Sequence, residues 1–168
     1  MRSILLPSSP FLFTTCHISA APRLVSITSS SSHILYGESH REIQRALTQV
    51  IDKHINPYVD KWENDGRFPA HKVFRLLGGL GIFGVNKPQE YGGLGLDFSY
   101  SCAVAETLGR VHCGAIPMAS CVQSDMATPA LSQFGSDSLK NEFLLPSLRG
   151  EVVAAIAVSE NGTGSDVS

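Results

Sequence analysis

The stretch best suited to chemistry is Ser159-Glu160-Asn161-Gly162-Thr163-Gly164-Ser165-Asp166, directly after the apolar run Val152–Val158. A Gly-rich loop behind such a run brings backbone N–H groups close to a phosphate or a planar ring, because glycine has no Cβ to hold the ligand away. Ser159, Thr163 and Ser165 add hydroxyl donors. The same composition also suits a polar surface turn between strands, and spacing alone leaves both readings open. Two phosphate motifs are excluded: no G-x-G-x-x-G opens a helix here, and no Gly-Lys-Ser/Thr follows. A second glycine-rich loop is Pro88-Gln89-Glu90-Tyr91-Gly92-Gly93-Leu94-Gly95. Its glycines permit positive φ and close helix approach, which suits a connector that positions helices better than a reacting group.

The other polar residues offer less. Glu106 is the lone acid on an apolar stretch, equally compatible with an interior pair and a solvated face. His54, His71 and His112 have no partner at ligand or triad spacing, and Trp62 suits packing better than stacking on a ligand. No Ser–His–Asp order and no general-base pair is present. Cys16, Cys102, Cys113 and Cys121 form no C-x-x-C pair and no zinc spacing, so they read as structural thiols in a reducing compartment. With 17% charged and 43% hydrophobic residues and a net charge of −2, the chain is too apolar to be disordered throughout and not basic enough for an obvious nucleic-acid partner. No apolar run approaches the roughly 18 residues of a membrane span.

These loops need elements to hold them. Ile43, Leu47, Val50, Ile51 and Ile55 share one helical face and predict a helix over 39–55, ended or kinked at Asn56-Pro57. Tyr58–Glu63 extends it by a turn or two. Pro69 opens a second helix with Val73, Leu76, Leu77 and Leu80 inward, stopped by Gly78, Gly79 and Gly81. Asp97 caps a third, from Phe98 to about His112, on which Val104, Leu108 and Val111 share a face. A fourth begins near Pro117, carries Met118, Val122, Met126 and Ala130 at i+4 steps, and closes at Gly135. Ser136 or Asp137 caps a short fifth, with Leu139 and Phe143 inward and an end near Pro146. Val152–Val158 is short, continuous and partly β-branched, and reads as a buried strand. The expected fold class is mainly α: a helical domain over 38–150, then the first strand and loop of a β domain, truncated, over 151–168.

Residues 1–37 differ in kind. They are Ser-rich, carry Arg2 and Arg23, and contain no acid, whereas all 15 acidic residues lie from Glu38 onward. That composition predicts an organellar transit peptide. A secretory signal (Arg2, then Ile4–Phe13, then Ser19-Ala20-Ala21) and a plain disordered tail are the rivals.

Taken in order, three motifs resemble the acyl-CoA dehydrogenase family. Pro88–Gly95 is similar to its signature loop between early helices. Leu145-Pro146-Ser147-Leu148-Arg149-Gly150-Glu151 is similar to its link into the middle domain. Ala157–Asp166 is similar to its flavin-loop signature, except that Asn161 stands where the family usually has Pro. The resemblance covers roughly residues 38–168. It implies the N-terminal helical bundle of that fold and the start of its middle domain, with FAD as cofactor. It implies backbone contacts to the flavin from Ile156, Ala157 and Val158, a hydroxyl and amide contact from Ser159, and approach of Gly164 and Ser165 to the FAD pyrophosphate. Ser165 would also neighbour the acyl-CoA substrate, and helices around Ala105–Met126 would border the acyl chain. The family reaction is α,β-dehydrogenation of an acyl-CoA thioester in fatty-acid or branched-chain amino-acid catabolism, with an electron-transferring flavoprotein as acceptor. The catalytic glutamate belongs to a C-terminal bundle, so no residue of this chain is assigned as base and the chain alone is expected to be inactive. A mitochondrial matrix address and a homo-oligomer at full length are also implied. An acyl-CoA oxidase or flavin monooxygenase of the same fold, and a catalytically dead helical interaction module, are the alternatives.

Overall fold

The computed structural model describes residues 35–162, 164 and 165. The expected leader falls outside the described residues except for its last three positions, and so do Cys16, Thr163 and Asp166.

The chain is built from helices. Helix α1 is Glu38–His54, and a 3₁₀ turn over Asn56–Tyr58 leads into α2, Val59–Asn64. Helix α3 is Ala70–Gly79, with Pro69 at its N-cap, and α4 is Phe98–Leu108, capped by the Asp97 carboxylate, which accepts from the Ser99 N–H at 2.8 Å. Helix α5, Ala115–Cys121, runs through a π-helical stretch, Val122–Ala127, into α6, Thr128–Phe134. Likewise α7, Asp137–Leu139, passes through a π stretch, Lys140–Leu144, into α8, Leu145–Leu148.

The expected inward face of α1 is the observed one: Leu47, Ile51 and Ile55 are fully buried. They meet Val104 and Leu108 of α4, Val73, Phe74 and Leu77 of α3, and Ile116, Leu144 and Leu148 in one core. Phe74 and Phe83 pack there with ring centroids 5.1 Å apart. Polar clips lock α1 to α4 at the edge. His40 Nδ1 accepts from the Gly37 N–H at 3.1 Å, so its proton sits on Nε2, 2.7 Å from Ser99 Oγ. The same ring stacks on Tyr100 at 3.7 Å. Below α1, Asn56 donates to the Arg110 carbonyl and accepts from the His112 N–H at 3.0 Å.

Three expectations fail. Met118 and Met126 do not face the core but are 60% and 49% exposed, while Ile116, Ser120, Gln123 and Thr128 turn inward. Leu139 and Phe143 are also exposed, and Leu144 and Leu148 take the interior. Each π stretch lies just before a proline, Pro129 or Pro146. A proline ring clashes with the carbonyl four residues back and has no N–H to offer it. Widening the ladder to i→i+5 relieves the clash, inserts a residue and rotates the face that follows, so that Thr128, five residues on, succeeds Gln123 on the buried side. Met118 and Leu139 precede these stretches, and their exposure is set by the face on which the helices begin. The Thr128 hydroxyl donates to the freed carbonyls of Gln123 (2.8 Å) and Ser124 (3.3 Å). The fifth helix therefore continues past Pro146 instead of ending there.

The third failure is the strand. Val152–Val158 forms no strand, and Val152, Val153, Ile156 and Val158 are all 37% to 54% exposed. A strand exists only where a neighbour takes its N–H and C=O groups, and among the described residues none lies beside this run.

Candidate functional site

The segment expected to touch the flavin leaves the helical domain at a tightly built corner. After α8 the chain turns at Gly150, whose φ of 71° is left-handed. A Cβ there would lie 2.0 Å from the Phe74 carbonyl oxygen, and a Cβ on Gly78 would lie 2.3 Å from the Arg149 carbonyl carbon. The backbone of α3 thus packs directly on the backbone of the turn, which only paired glycines allow.

Past the turn, the fully buried Gln123 takes hold of the chain. Its Nε2 donates to the carbonyls of Ser147 (2.9 Å) and Val152 (2.8 Å), and its Oε1 accepts from the Ala154 N–H at 2.6 Å. Beyond Ala154 the character changes. Among the described residues, no hydrogen bond engages the backbone of 155–158, and Ile156, Ala157, Val158 and Ser159 are exposed. Gly164 and Ser165 are exposed as well, with open space around a Cβ placed on Gly164. Free donors beside exposed apolar side chains fit a large planar ring that needs both hydrogen bonds and cover.

The Pro88–Gly95 loop serves as the expected connector. Gly92 and Gly95 have positive φ. Gly93 lies so close to Lys87 that a Cβ would meet its carbonyl oxygen at 2.2 Å. Leu94 and Leu96 donate backbone bonds to the Gly84 and Val85 carbonyls at 2.8 and 2.7 Å. Tyr91 reaches across to the α7–α8 helix, donating to Asp137 at 2.6 Å beneath the Lys140 amine. That bond, with lesser help from desolvation and nearby charge, holds the phenol pKa up at about 12. Lys87, 5% exposed, donates to Asn86 Oδ1 and to the Ser124 carbonyl, both at 2.9 Å, and so ties the loop to the π stretch. Burial lowers its pKa, and nearby Asp125 opposes that shift.

The remaining candidates behave as expected of structural or surface residues. Trp62 packs against the core and stacks on Tyr58 at 5.7 Å. Glu106, His71 and His112 are exposed and His54 half-buried. Cys102, Cys113 and Cys121 are free thiols. Burial, with Asp125 adding, pushes the Cys121 thiol up, which keeps it protonated and unreactive. Among the described residues no cluster of His, Cys, Asp or Glu could hold a metal ion, and no helix is long and apolar enough to cross a membrane. Gln123, Lys87 and His40 carried no sequence signal: each is a lone polar residue whose partners lie far along the chain.

The site is thus a helical domain whose glycine-built corner leads into an exposed, donor-rich segment. The description "Acyl-CoA dehydrogenase, N-terminal domain" matches residues 37–151, and the chain belongs to the acyl-CoA dehydrogenase family. It is 29% identical over 138 residues to the mitochondrial 2-methylacyl-CoA dehydrogenase of Solanum tuberosum, covering 82% of this chain and 33% of that protein. Among solved structures it resembles an acyl-CoA dehydrogenase from Geobacillus kaustophilus, with a TM-score of 0.70 and 30% identity over 79% of this chain and 34% of that one. It also resembles an acyl-CoA dehydrogenase complexed with FAD from Bacillus anthracis, with a TM-score of 0.71 and 27% identity over 79% and 22% of the two chains. The chain thus spans about a third of the length of the curated relative.

Proposed function

We propose that this chain supplies the helical domain and the first flavin-contacting segment of an FAD-dependent acyl-CoA dehydrogenase acting on fatty or branched acyl-CoA thioesters. The observation that carries the reading is the contrast at Ala154. From Glu38 to Ala154 the chain is packed and bonded as a family helical domain, and the described signature residues after it are exposed with free backbone donors. FAD, when bound, supplies the hydride acceptor. The chain's own part is to bind and orient: Ile156, Ala157 and Val158 offer main-chain groups to the ring, Ser159 its hydroxyl and amide, and Gly164 and Ser165 their backbone to the pyrophosphate. Ser165 also neighbours the thioester.

The exposed Met118 and Met126 lie on the helix face left uncovered by the core and would wall the acyl chain and exclude water. No carboxylate is given the base's role, since among the described residues none stands beside the signature segment in a dry site, and Glu160 within it is exposed. A mitochondrial matrix address, transfer to an electron-transferring flavoprotein and a full-length homo-oligomer complete the proposal. The mitochondrial address is supported by the acid-free leader and by the mitochondrial name of the potato relative, and the acceptor and oligomer rest on the family alone.

The test is an FAD titration of the isotope-labelled chain. Weak, non-stoichiometric binding with amide shifts confined to 156–159, 164 and 165, and no acyl-CoA-dependent dye reduction, is expected. Shifts confined to the α1–α4 core, or stoichiometric flavin with dye reduction, would overturn it.

A further inference from the structure

Gln123 is fully buried, yet it is polar, and its two Nε2 hydrogens and one Oε1 lone pair are all engaged. A buried amide is an expensive way to fill space where Leu or Met would pack as well. Its three bonds share one feature: all go to the backbone around the exit corner. Ser147 lies before the Gly150 turn, and Val152 and Ala154 lie after it. The helix that bears Gln123 also bears Met118 and Met126 on its open face. Ala154 is the last tether before the free backbone of 155–158, and Ser159 follows five residues further on. The position and direction of Ala154 set where the path to the signature residues begins.

Resting on the flavin reading above, we infer that Gln123 is a positioning residue, which sets the direction in which Ala157–Ser159 leave the helical domain. It thereby couples that segment to the helix face bordering the acyl chain. It touches neither cofactor nor substrate. Gln123 continues the buried face of Ile116 and Ser120 at ordinary helical spacing, which brings it to the position where the exit corner passes.

The experiment measures amide exchange and chemical shifts in the full 168-residue chain, as wild type, Gln123→Met and Gln123→Glu. Methionine keeps the volume and removes every bond. Glutamate keeps the acceptor for Ala154 and loses both donors. In Gln123→Met the Ala154 amide should exchange at least about tenfold faster, and the shifts of Ala155–Val158 should move toward unstructured values. The Leu47 and Ile51 amides should keep their protection, which separates positioning from general loss of stability. Gln123→Glu should retain more Ala154 protection than Gln123→Met. If the methionine variant fails to fold, Gln123→Glu is read against the wild type instead: the amide shifts of Leu148 and Val153, which follow the two released carbonyls, should move while Ala154 stays protected, and unchanged shifts at both overturn the inference. An Ala154 amide that is unprotected in the wild type, or equally protected in wild type and Gln123→Met, overturns the inference. FAD added to the wild type reads the functional claim separately. A protected Ala154 with no flavin-induced shift at Ala157–Ser159 leaves the clamp standing and removes the flavin reading.

Discussion

Gly78 and Gly79 are consecutive residues of α3, and replacing each by alanine should have opposite effects. Helix propensity alone favours alanine at both, by up to about 1 kcal/mol. At Gly79 nothing lies within 4 Å of the added Cβ, so that gain should be realised. At Gly78 the Cβ would sit 2.3 Å from the Arg149 carbonyl carbon, 2.4 Å from its oxygen and 2.6 Å from the Gly150 nitrogen. These are main-chain atoms, which have no rotamer to change. To reach ordinary contact the α8–Gly150 corner must move by about 1 Å or more, against a backbone approach that Gly150 makes equally tight on the Phe74 side. Overpacking of this kind costs about 1–3 kcal/mol, and a rigid obstacle places it at the upper end. Set against the propensity gain, Gly78→Ala should be destabilising by about 2 kcal/mol, a fall in Tm of roughly 8 °C for a domain of this size. Urea and thermal unfolding followed by circular dichroism measure both variants against the wild type. A Gly78→Ala protein as stable as Gly79→Ala would refute the backbone-on-backbone packing that places the exit corner.

The face presented by the second π stretch is tested by truncation. Leu144→Ala should cost about 2–5 kcal/mol in urea unfolding, against well under half of that for the exposed Phe143→Ala. Tyr91 should titrate near 12 by site-specific carbon NMR and return toward 10.0 in Asp137→Asn. Because its folded value is raised, its contribution to stability is whole below the unfolded pKa and is lost as pH climbs through the folded one. Asp97 is the opposite case. The hydrogen bonds from the Ser99 hydroxyl and amide lower its carboxyl pKa, so its capping contribution is present above the unfolded value and disappears as pH falls through the depressed one. Asp97→Ala should therefore weaken the wild type's acid-induced loss of stability, read as a flatter unfolding midpoint against pH below the ordinary carboxylate range. For Lys87, whose folded pKa is lowered, the stability of wild type relative to Lys87→Met should rise with pH between the folded value and 10.5.

Much of this protein is legible in the chain itself. The Leu47–Ile51–Ile55 stripe, Pro69 at the head of α3 and Asp97 at the head of α4 are local signals, decided by periodicity and by caps that need only near neighbours. The signature loops are local too, and they were enough to point to the family. The inward face of the α5–α6 helix is hidden in the sequence because it is largely polar, with Ser120, Gln123 and Thr128 buried while Met118 and Met126 are exposed, and an i+4 count also assumes an unbroken α ladder past each π stretch. Pro129 and Pro146 are visible in the sequence, but whether a proline ends a helix or widens it depends on whether packing rewards continuation. Here Leu144 and Leu148 find a place in the core, and the helix goes on.

The tertiary structure alone decided what holds the exit corner. Gly78 reads as a helix-fraying glycine until Arg149 is brought against it, and Gln123 reads as one more polar helix residue until Ser147, Val152 and Ala154 converge on its amide. Val152–Val158 shows the same division from the other side. Its composition sets a preference for extended backbone, but a strand is a relation between two segments, and no partner for it lies among the described residues. Composition and spacing carry information a few residues at a time. Close approach, buried hydrogen bonds and sheet pairing join residues tens of positions apart, so only the folded chain fixes them.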